Sequence, residues 1–478
     1  MIFLSSKVTR SFSWKKRDFP QVLFNFFFKG MTGMKKLATL LLAAGMVVAA
    51  SAPASAVDVK MDGEYVFTFM SGEYFGSGDN FDRAGQRLRL GMTFTASENL
   101  SGYMQMQTGI SDANTGVYDW GTSNNANTKI GLRQAYIDWM IPNTTVRVRM
   151  GKMVGVAGLA FDAMGKCVIM GPGLVRDGVV LTTPVTDWLD LTAFWARGGY
   201  LSDGTNDTSK SEKSDHFATV ARMKFDGFTL DSYLMYAALD RGIALPGSTD
   251  GRHLASGNGY WAGASAAFTY FDPFVFKISG AYGAFNYTGL QANGNNPNDR
   301  SGWYVQTKAS YATSFGTPSL AAWYATGDDA DAQYDRQNWL PTAGGRFHPT
   351  IGFHGGHAGL WGNTARHNIA GTWGVQAAIE NVSFLEDLTH TFTVSMFSGT
   401  NNSERTSQSS LTPYEYMSYG DSVVEFDLDN IYNIYKNLSA RLQLAYIIND
   451  FDESDHAAYT KTMDKDGWTT SLTFTYAF

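Results

Sequence analysis

The stretch "GWTTSLTFTYAF", Gly467 to Phe478, decides how this chain is read. Trp468, Thr470, Leu472, Phe474, Tyr476 and Phe478 fall on one side of an extended backbone; Thr469, Ser471, Thr473, Thr475 and Ala477 fall on the other. Strict alternation of β-branched and aromatic residues is the pattern of a strand with one apolar and one wet face. Chain ends usually fray and are usually polar. A strand that keeps its apolar face up to Phe478 needs a partner for its edge.

The same alternation fills the rest of the chain. Composition allows it: charged residues are only 17%, aromatics 14%, and there are 50 glycines. Charge is thus well below the roughly 25% of a soluble domain. Strand candidates are 58–70, 85–96, 100–110, 131–141, 145–153, 177–184, 188–198, 215–226, 228–239, 258–271, 273–285, 301–314, 318–327, 371–383, 387–399, 419–429, 438–449 and 467–478. Short breaks such as "SENL", "FDG" and "FDP" alternate with long ones rich in Gly, Asn, Asp and Ser. Tight turns at one end and long loops at the other are the plan of an outer-membrane barrel. The expectation is an all-β, transmembrane antiparallel β-barrel of 18 strands, with 16 as the alternative count.

The segment before the barrel reads as export. "MKKLATLLLAAGMVVAASAPASA", residues 34–56, has a basic start, an apolar centre and an A-x-A site at Ala54 and Ala56, which is the plan of a cleaved signal peptide. Residues 1–33 read as an upstream extension from an early start codon, and 57–478 as the barrel domain. Residues 1–56 hold eight of the 37 basic and one of the 44 acidic residues, so the remainder carries a net charge of −14. That argues against a nucleic-acid partner. Beyond the signal no apolar run reaches the ~20 residues of a spanning helix, so entry into a membrane requires a closed barrel.

The alternation has a sense. In "QRLRLGMTF" Leu88, Leu90, Met92 and Phe94 oppose Arg87 and Arg89. In "TVRVRMGK" Val146, Val148 and Met150 oppose Arg147 and Arg149. Arg222 and Lys224, Lys277, Lys308 and Arg441 likewise sit opposite apolar sets. Arg or Lys facing lipid at the midplane costs about 2–4 kcal/mol, so the charged face meets water and the apolar face meets lipid. A soluble sandwich would show the same alternation but has no reason to sort its connections by length. Aromatics at strand ends (Trp139, Trp188, Tyr270, Phe274, Trp303, Phe384) read as interfacial girdles beside the short turns.

A barrel of this size leaves an aqueous channel. Its candidate wall charges are Arg87, Arg89, Arg147, Arg149, Arg222, Lys224, Lys277, Lys308 and Arg441, with Asp138, Glu380, Glu425, Asp427 and Asp429 as acids. Four cations as close as Arg87, Arg89, Arg147 and Arg149 require a counter-charge or a task. The break "VGVAGLAFDAMGKCVIMGPGLVRDG", 154–178, is apolar where exposed loops are polar. It is expected to fold into the lumen, carrying Asp162 and Lys166, with Asp162 facing the basic wall.

A basic-walled barrel with an inward loop after its fifth strand resembles the bacterial general diffusion porins. "VDVKMDGEYVFTF" (57–69) and "RQAYIDWMIP" (133–142) bring it nearer to the homotrimeric outer-membrane porins of sulfate-reducing bacteria. The resemblance implies a trimer of water-filled pores for small hydrophilic solutes and ions, with no cofactor, and with Arg147, Arg149 and Lys152 near the constriction. The family's constriction loop is markedly acidic, whereas here Lys166 offsets Asp162. Phe474, Tyr476 and Phe478 resemble the C-terminal signature read by the outer-membrane assembly machinery. The alternatives are a substrate-specific channel (anion, carboxylate or sugar) and, from other classes, an enzyme or adhesin. For the enzyme, no convergent acid, base and nucleophile set stands out: Cys167 and His390 are isolated, and "FHGGH" with His354 and His357 is too loose for a metal site.

Overall fold

The computed structural model describes residues 57–73, 80–108, 118–119, 130–155, 159, 162–165, 167–170, 175–198, 214–239, 257–288, 299–330, 336–337, 339–343, 345, 347–354, 369–407, 412–457, 459–460 and 463–478. The signal segment, with Ala54 and Ala56, lies outside them, as does Lys166.

Eighteen strands form the wall. They are β1 (Asp58–Glu73), β2 (Asn80–Ser97), β3 (Leu100–Thr108), β5 (Ile130–Met140), β6 (Arg147–Val154), β7 (Val175–Thr186), β8 (Leu189–Gly198), β9 (Ser214–Phe225), β10 (Phe228–Leu239), β11 (Gly257–Phe271), β12 (Phe274–Tyr287), β13 (Asp299–Tyr311), β14 (Thr317–Ala325), β16 (Thr372–Leu385), β17 (Leu388–Gly399), β18 (Ser422–Tyr435), β19 (Leu438–Asp450) and β20 (Gly467–Ala477). Two further strands, β4 (Tyr118–Asp119) and β15 (Arg336–Gln337), are two residues long and attach to β2 and β13. Each wall strand pairs antiparallel with the next, and β20 returns to β1. The barrel is therefore closed, and no wall edge is left for another chain to extend.

The short turns share one end. Asn143, Gly227 and Asp387 take positive φ there (60°, 65° and 63°), the conformation such turns demand. One expected break shrinks: "DNIYNIYKN" is mostly strand, since β18 runs to Tyr435 and only Lys436 and Asn437 turn. Its Asn-rich composition mimics a loop, but Asn430 and Tyr432 stay in register with Leu442 and Ala440.

The seam shows what the last phenylalanine does. Gly63 and Phe478 exchange backbone hydrogen bonds of 2.9 and 3.0 Å, and Tyr476 and Phe474 lie opposite Tyr65 and Phe67. A Cβ on Gly63 would sit 2.5 Å from the Phe478 ring, so glycine at this position makes room for that ring.

Outward residues are apolar and bare. Leu234 and Leu320 are 64% and 67% exposed. Near the short turns the rings of Phe225, Phe228, Phe268 and Phe276 follow one another at 6.0, 4.9 and 6.0 Å. A second row lies nearer the long loops, where Phe217, Tyr236 and Tyr260 are spaced 6.3 and 5.2 Å apart. Trp303 belongs to this second row, beside Tyr324 at 5.1 Å, and not to the turn-side row expected from sequence. Between the rows lies the apolar belt of a membrane-spanning barrel. Among the described residues no helix is long and apolar enough to cross a membrane.

Candidate functional site

The lumen is built in two halves. Toward the short turns the inward wall carries charge, and neighbouring strands pair it. Asp138 on β5 accepts from Arg147 at 2.9 Å and from Arg149 at 2.6 Å on β6. Glu64 on β1 accepts from Arg87 at 2.7 Å and Arg89 at 3.0 Å on β2. Arg89 also donates to Gln107 (2.8 Å), and Arg133 to Gln105 (2.8 Å). Lys308 meets Glu380 at 2.7 Å, Lys224 meets Asp190 at 3.5 Å, and Arg441 meets Asp429. Arg222 approaches Asp231 at 3.9 Å. Antiparallel register is the cause: Glu64 and Arg89, Asp138 and Arg149, and Arg222 and Asp231 are direct cross-strand partners. The close basic group expected from sequence thus comes with its counter-charges.

Depth separates Asp138 from its two partners. The side chains of Arg147 and Arg149 are 48% and 43% exposed, whereas that of Asp138 is 5% exposed. Lys277 is exposed on β12 beside its register partner Lys308. Arg149 also lies 4.6 Å over the Tyr136 ring, which fixes its plane. At Asp138 the carboxylate lies beneath and the cations face the water, an arrangement that favours anions there, whereas Arg87, Arg89 and Lys308 are less exposed than the Glu64 and Glu380 carboxylates they meet.

The other half is packed by inward loops. The loop between β6 and β7 folds inward, as expected, but Asp162 does not look across an opening at the basic wall. It is buried, accepting from Val168 N at 2.6 Å and from the Tyr304 hydroxyl of β13. Beside it Ala163 N donates to Ser279 at 2.8 Å and Met164 N to Gln306 at 3.3 Å. Asp162 is a docking residue, and burial pushes its carboxyl up to about 7 against the pull of those donors.

A second inward loop, between β14 and β16, was not foreseen. Glu425 accepts from Gly352 N at 2.5 Å and Phe353 N at 3.0 Å, and Asp427 from Ile351 N at 3.3 Å. Both acids are buried under that loop, so neither faces water as the sequence reading had it. Trp261 Nε1 holds the carbonyl of Pro341 at 2.7 Å. The two loops join: Ala343 N and Gly345 N donate to the Ile169 carbonyl at 2.8 and 3.1 Å. A Cβ on Gly345 would fall 1.6 Å from the Val168 carbonyl oxygen, so the junction needs glycine. Leu159, Ile169, Leu340, Phe353, Phe397 and Ile447, each at most 2% exposed, form a common apolar cluster. The signal for this loop was present in Trp339, Leu340, Phe347, Ile351 and Phe353, apolar residues in a long break.

Lys152 shares a face with Ala135, its register partner, and stands opposite in sense to Arg147 and Arg149. It therefore lies on the outer face of the wall, away from the constriction. The ring of His354 packs on Phe347, Phe353 and Phe397, with Thr350 on Nδ1 at 2.9 Å; His357 lies outside the described residues.

No protein-family profile matches this chain, and no curated protein matches it by sequence. Solved structures do. Pseudomonas aeruginosa OprD superposes with a TM-score of 0.53 at 13% identity, over 88% of this chain and 95% of that one. The fold is that of the outer-membrane porins. Pseudomonas aeruginosa OpdK with vanillate gives 0.53 at 13% identity, and OccK9 (OpdG) of the same organism 0.55 at 12%, each over 88% of this chain and 98% of its own. The closed 18-strand barrel, its apolar belt and its ring rows are those of a protein of the outer membrane.

Proposed function

We propose that the protein is a passive outer-membrane channel for small hydrophilic solutes and ions, working as a trimer of pores without a cofactor. The observation that carries this is the inward wall of paired charges, with Arg147 and Arg149 standing above a buried Asp138. Solutes are selected by size at the inward loops and by charge along this wall. Purified protein in a planar bilayer should show single-channel steps, with a reversal potential in a salt gradient that marks anion preference. An absence of ion-conducting steps would remove the pore reading.

A second reading, a substrate-selective channel for small anions such as carboxylates, gains support from the two joined inward loops, which leave less room than one loop does. OpdK, which shares the fold, has been seen with vanillate. Competition of carboxylates against chloride current separates the two readings.

The ends of the chain carry the remaining steps. Export uses the segment ending at Ala54 and Ala56, and Phe474, Tyr476 and Phe478 present the strand to the assembly machinery. Deleting Phe478 should impair insertion while leaving export intact, and a normal yield of inserted barrel from that deletion would count against the signal.

A further inference from the structure

Among the lysines and arginines of the described wall strands, only Lys152 and Arg197 point outward; the others share the inward face. The two stand in one cross-strand row, because Asp177 is the register partner of both. The row continues through Asp215 and Ala238 to Asn258 and Asn286. It borders the aromatic row nearer the long loops, since Trp195, Phe217, Tyr236 and Tyr260 are the next outward residues along the same strands. Such rings mark the level of lipid headgroups, where an outward cation is tolerated and finds anions. Arg197 is held firmly. Its Nε and Nη2 donate to Asp215 at 2.7 and 2.6 Å, Trp195 Nε1 donates to the same carboxylate at 3.2 Å, and the guanidinium lies 5.3 Å from the Trp195 ring. Its side chain is still 39% exposed. Among the described residues Lys152 forms no ion pair, and Asp177 is exposed between the two cations. On the belt side of the ring row, Ala193, Thr219 and Ala262 are small. Beside the rings of Phe217, Tyr236 and Tyr260 they leave an open groove of about 600 Å³.

We infer that the outer face of β6 to β12 binds a phosphorylated glycolipid of the leaflet on the long-loop side. Lys152 and Arg197, two strands and so about 10 Å apart, meet its phosphates. An acyl chain lies in the groove, and Asn258 and Asn286 meet sugar hydroxyls. Charge complementarity selects this occupant over a simple phospholipid. Asp177 repels a lone phosphodiester, whereas phosphomonoesters bring divalent counter-ions that an exposed carboxylate shares. The groove and the charged row adjoin on the same strands, as the tail and head of one lipid require. The inference depends on the outer-membrane location alone and is independent of what passes through the lumen.

The test is native mass spectrometry of the purified protein titrated with lipid A, a diphosphorylated glycolipid, in magnesium, or with phosphatidylglycerol. Lipid A should bind at least about tenfold more tightly than phosphatidylglycerol, and chelating the magnesium should remove most of that difference. Lys152→Glu should weaken lipid A binding by about tenfold, while Lys152→Arg should retain it. Ala262→Trp fills the groove without touching the charges and should also weaken binding. Ala377→Trp, in a second outer groove on β16 to β20, should not. Heat-dependent gel mobility checks that each barrel is closed. Equal affinity for the two lipids, unchanged binding in Lys152→Glu, or equal losses in Ala262→Trp and Ala377→Trp would overturn the assignment and mean that lipid covers the belt without a site.

Discussion

The two halves of the lumen are made by the same strands and obey the same alternation, yet one leaves its charges open and the other is packed by inward loops. Toward the short turns, inward Arg147, Arg149, Lys224 and Lys277 keep access to water, and the acids of the first three lie on the wall beside or below them. Toward the long loops, inward Glu425, Asp427 and Tyr304 are consumed by backbone and side-chain groups of the inward loops. An inward carboxylate is thus a selectivity element or a loop anchor according to what the loops leave uncovered. Residue type and face do not decide between these roles; the cover that the inward loops give does.

The strongest way to break this contrast is Glu425→Ala. It strips buried Gly352 and Phe353 of their acceptor, at about 1–3 kcal/mol for each unsatisfied N–H. Release of the second loop should raise single-channel conductance at least about twofold, while Glu425→Gln, which keeps one acceptor oxygen, should change it less. Unchanged conductance in Glu425→Ala would mean the loop does not narrow the path.

Next is the double change Arg147→Ser and Arg149→Ser. It should shift the reversal potential toward cations and destabilise the barrel by about 2 kcal/mol, because Asp138 is left buried and alone while the lost partners were half in water. Adding Asp138→Asn should restore the melting temperature without restoring selectivity. An unchanged reversal potential would remove the two arginines from the conduction path.

A smaller effect concerns Asp162. Its folded value, raised to about 7, lies above that of an unfolded carboxyl. The folded loop therefore binds the extra proton, and its docking is fully stabilised only below the unfolded value, weakening as pH rises through about 7. Conductance should increase between pH 5 and pH 8, by the ordinary width of a single titration. Asp162→Asn should flatten the profile, and a profile that persists in that variant would point to another group.

Smallest of all is Lys152→Ala. Because Lys152 lies on the outer face, ion selectivity should not move. A shift comparable to that of the arginine pair would place it in the lumen and contradict the register.

The wall was legible because alternation, turn residues and loop length all report the same backbone, and strand ends fell within a few residues of expectation except where the Asn-Tyr run of β18 imitates a turn. The inward tendency of the first long loop was legible from its apolar content. The roles of Asp162, Glu425 and Asp427 were not, since each depends on a partner more than seventy residues away: Tyr304, Gly352 and Ile351. Lys152 was legible in principle, because strict alternation from Arg147 and Arg149 already puts it outward. The family resemblance drew it toward the constriction.

The loop junction has a mechanical side. The first loop leaves the wall between β6 and β7 and is tied to β12 and β13 at Ser279 and Tyr304. The second leaves between β14 and β16 and is tied to β18 at Glu425, and the two meet at Ile169. Together they act as spokes across a thin hoop. A ring one strand thick flattens easily under uneven lateral pressure from a bilayer, and cross-members resist that ovalisation. Cutting the spokes to obtain a wider bore would therefore also yield a softer hoop, whose opening varies with the membrane around it.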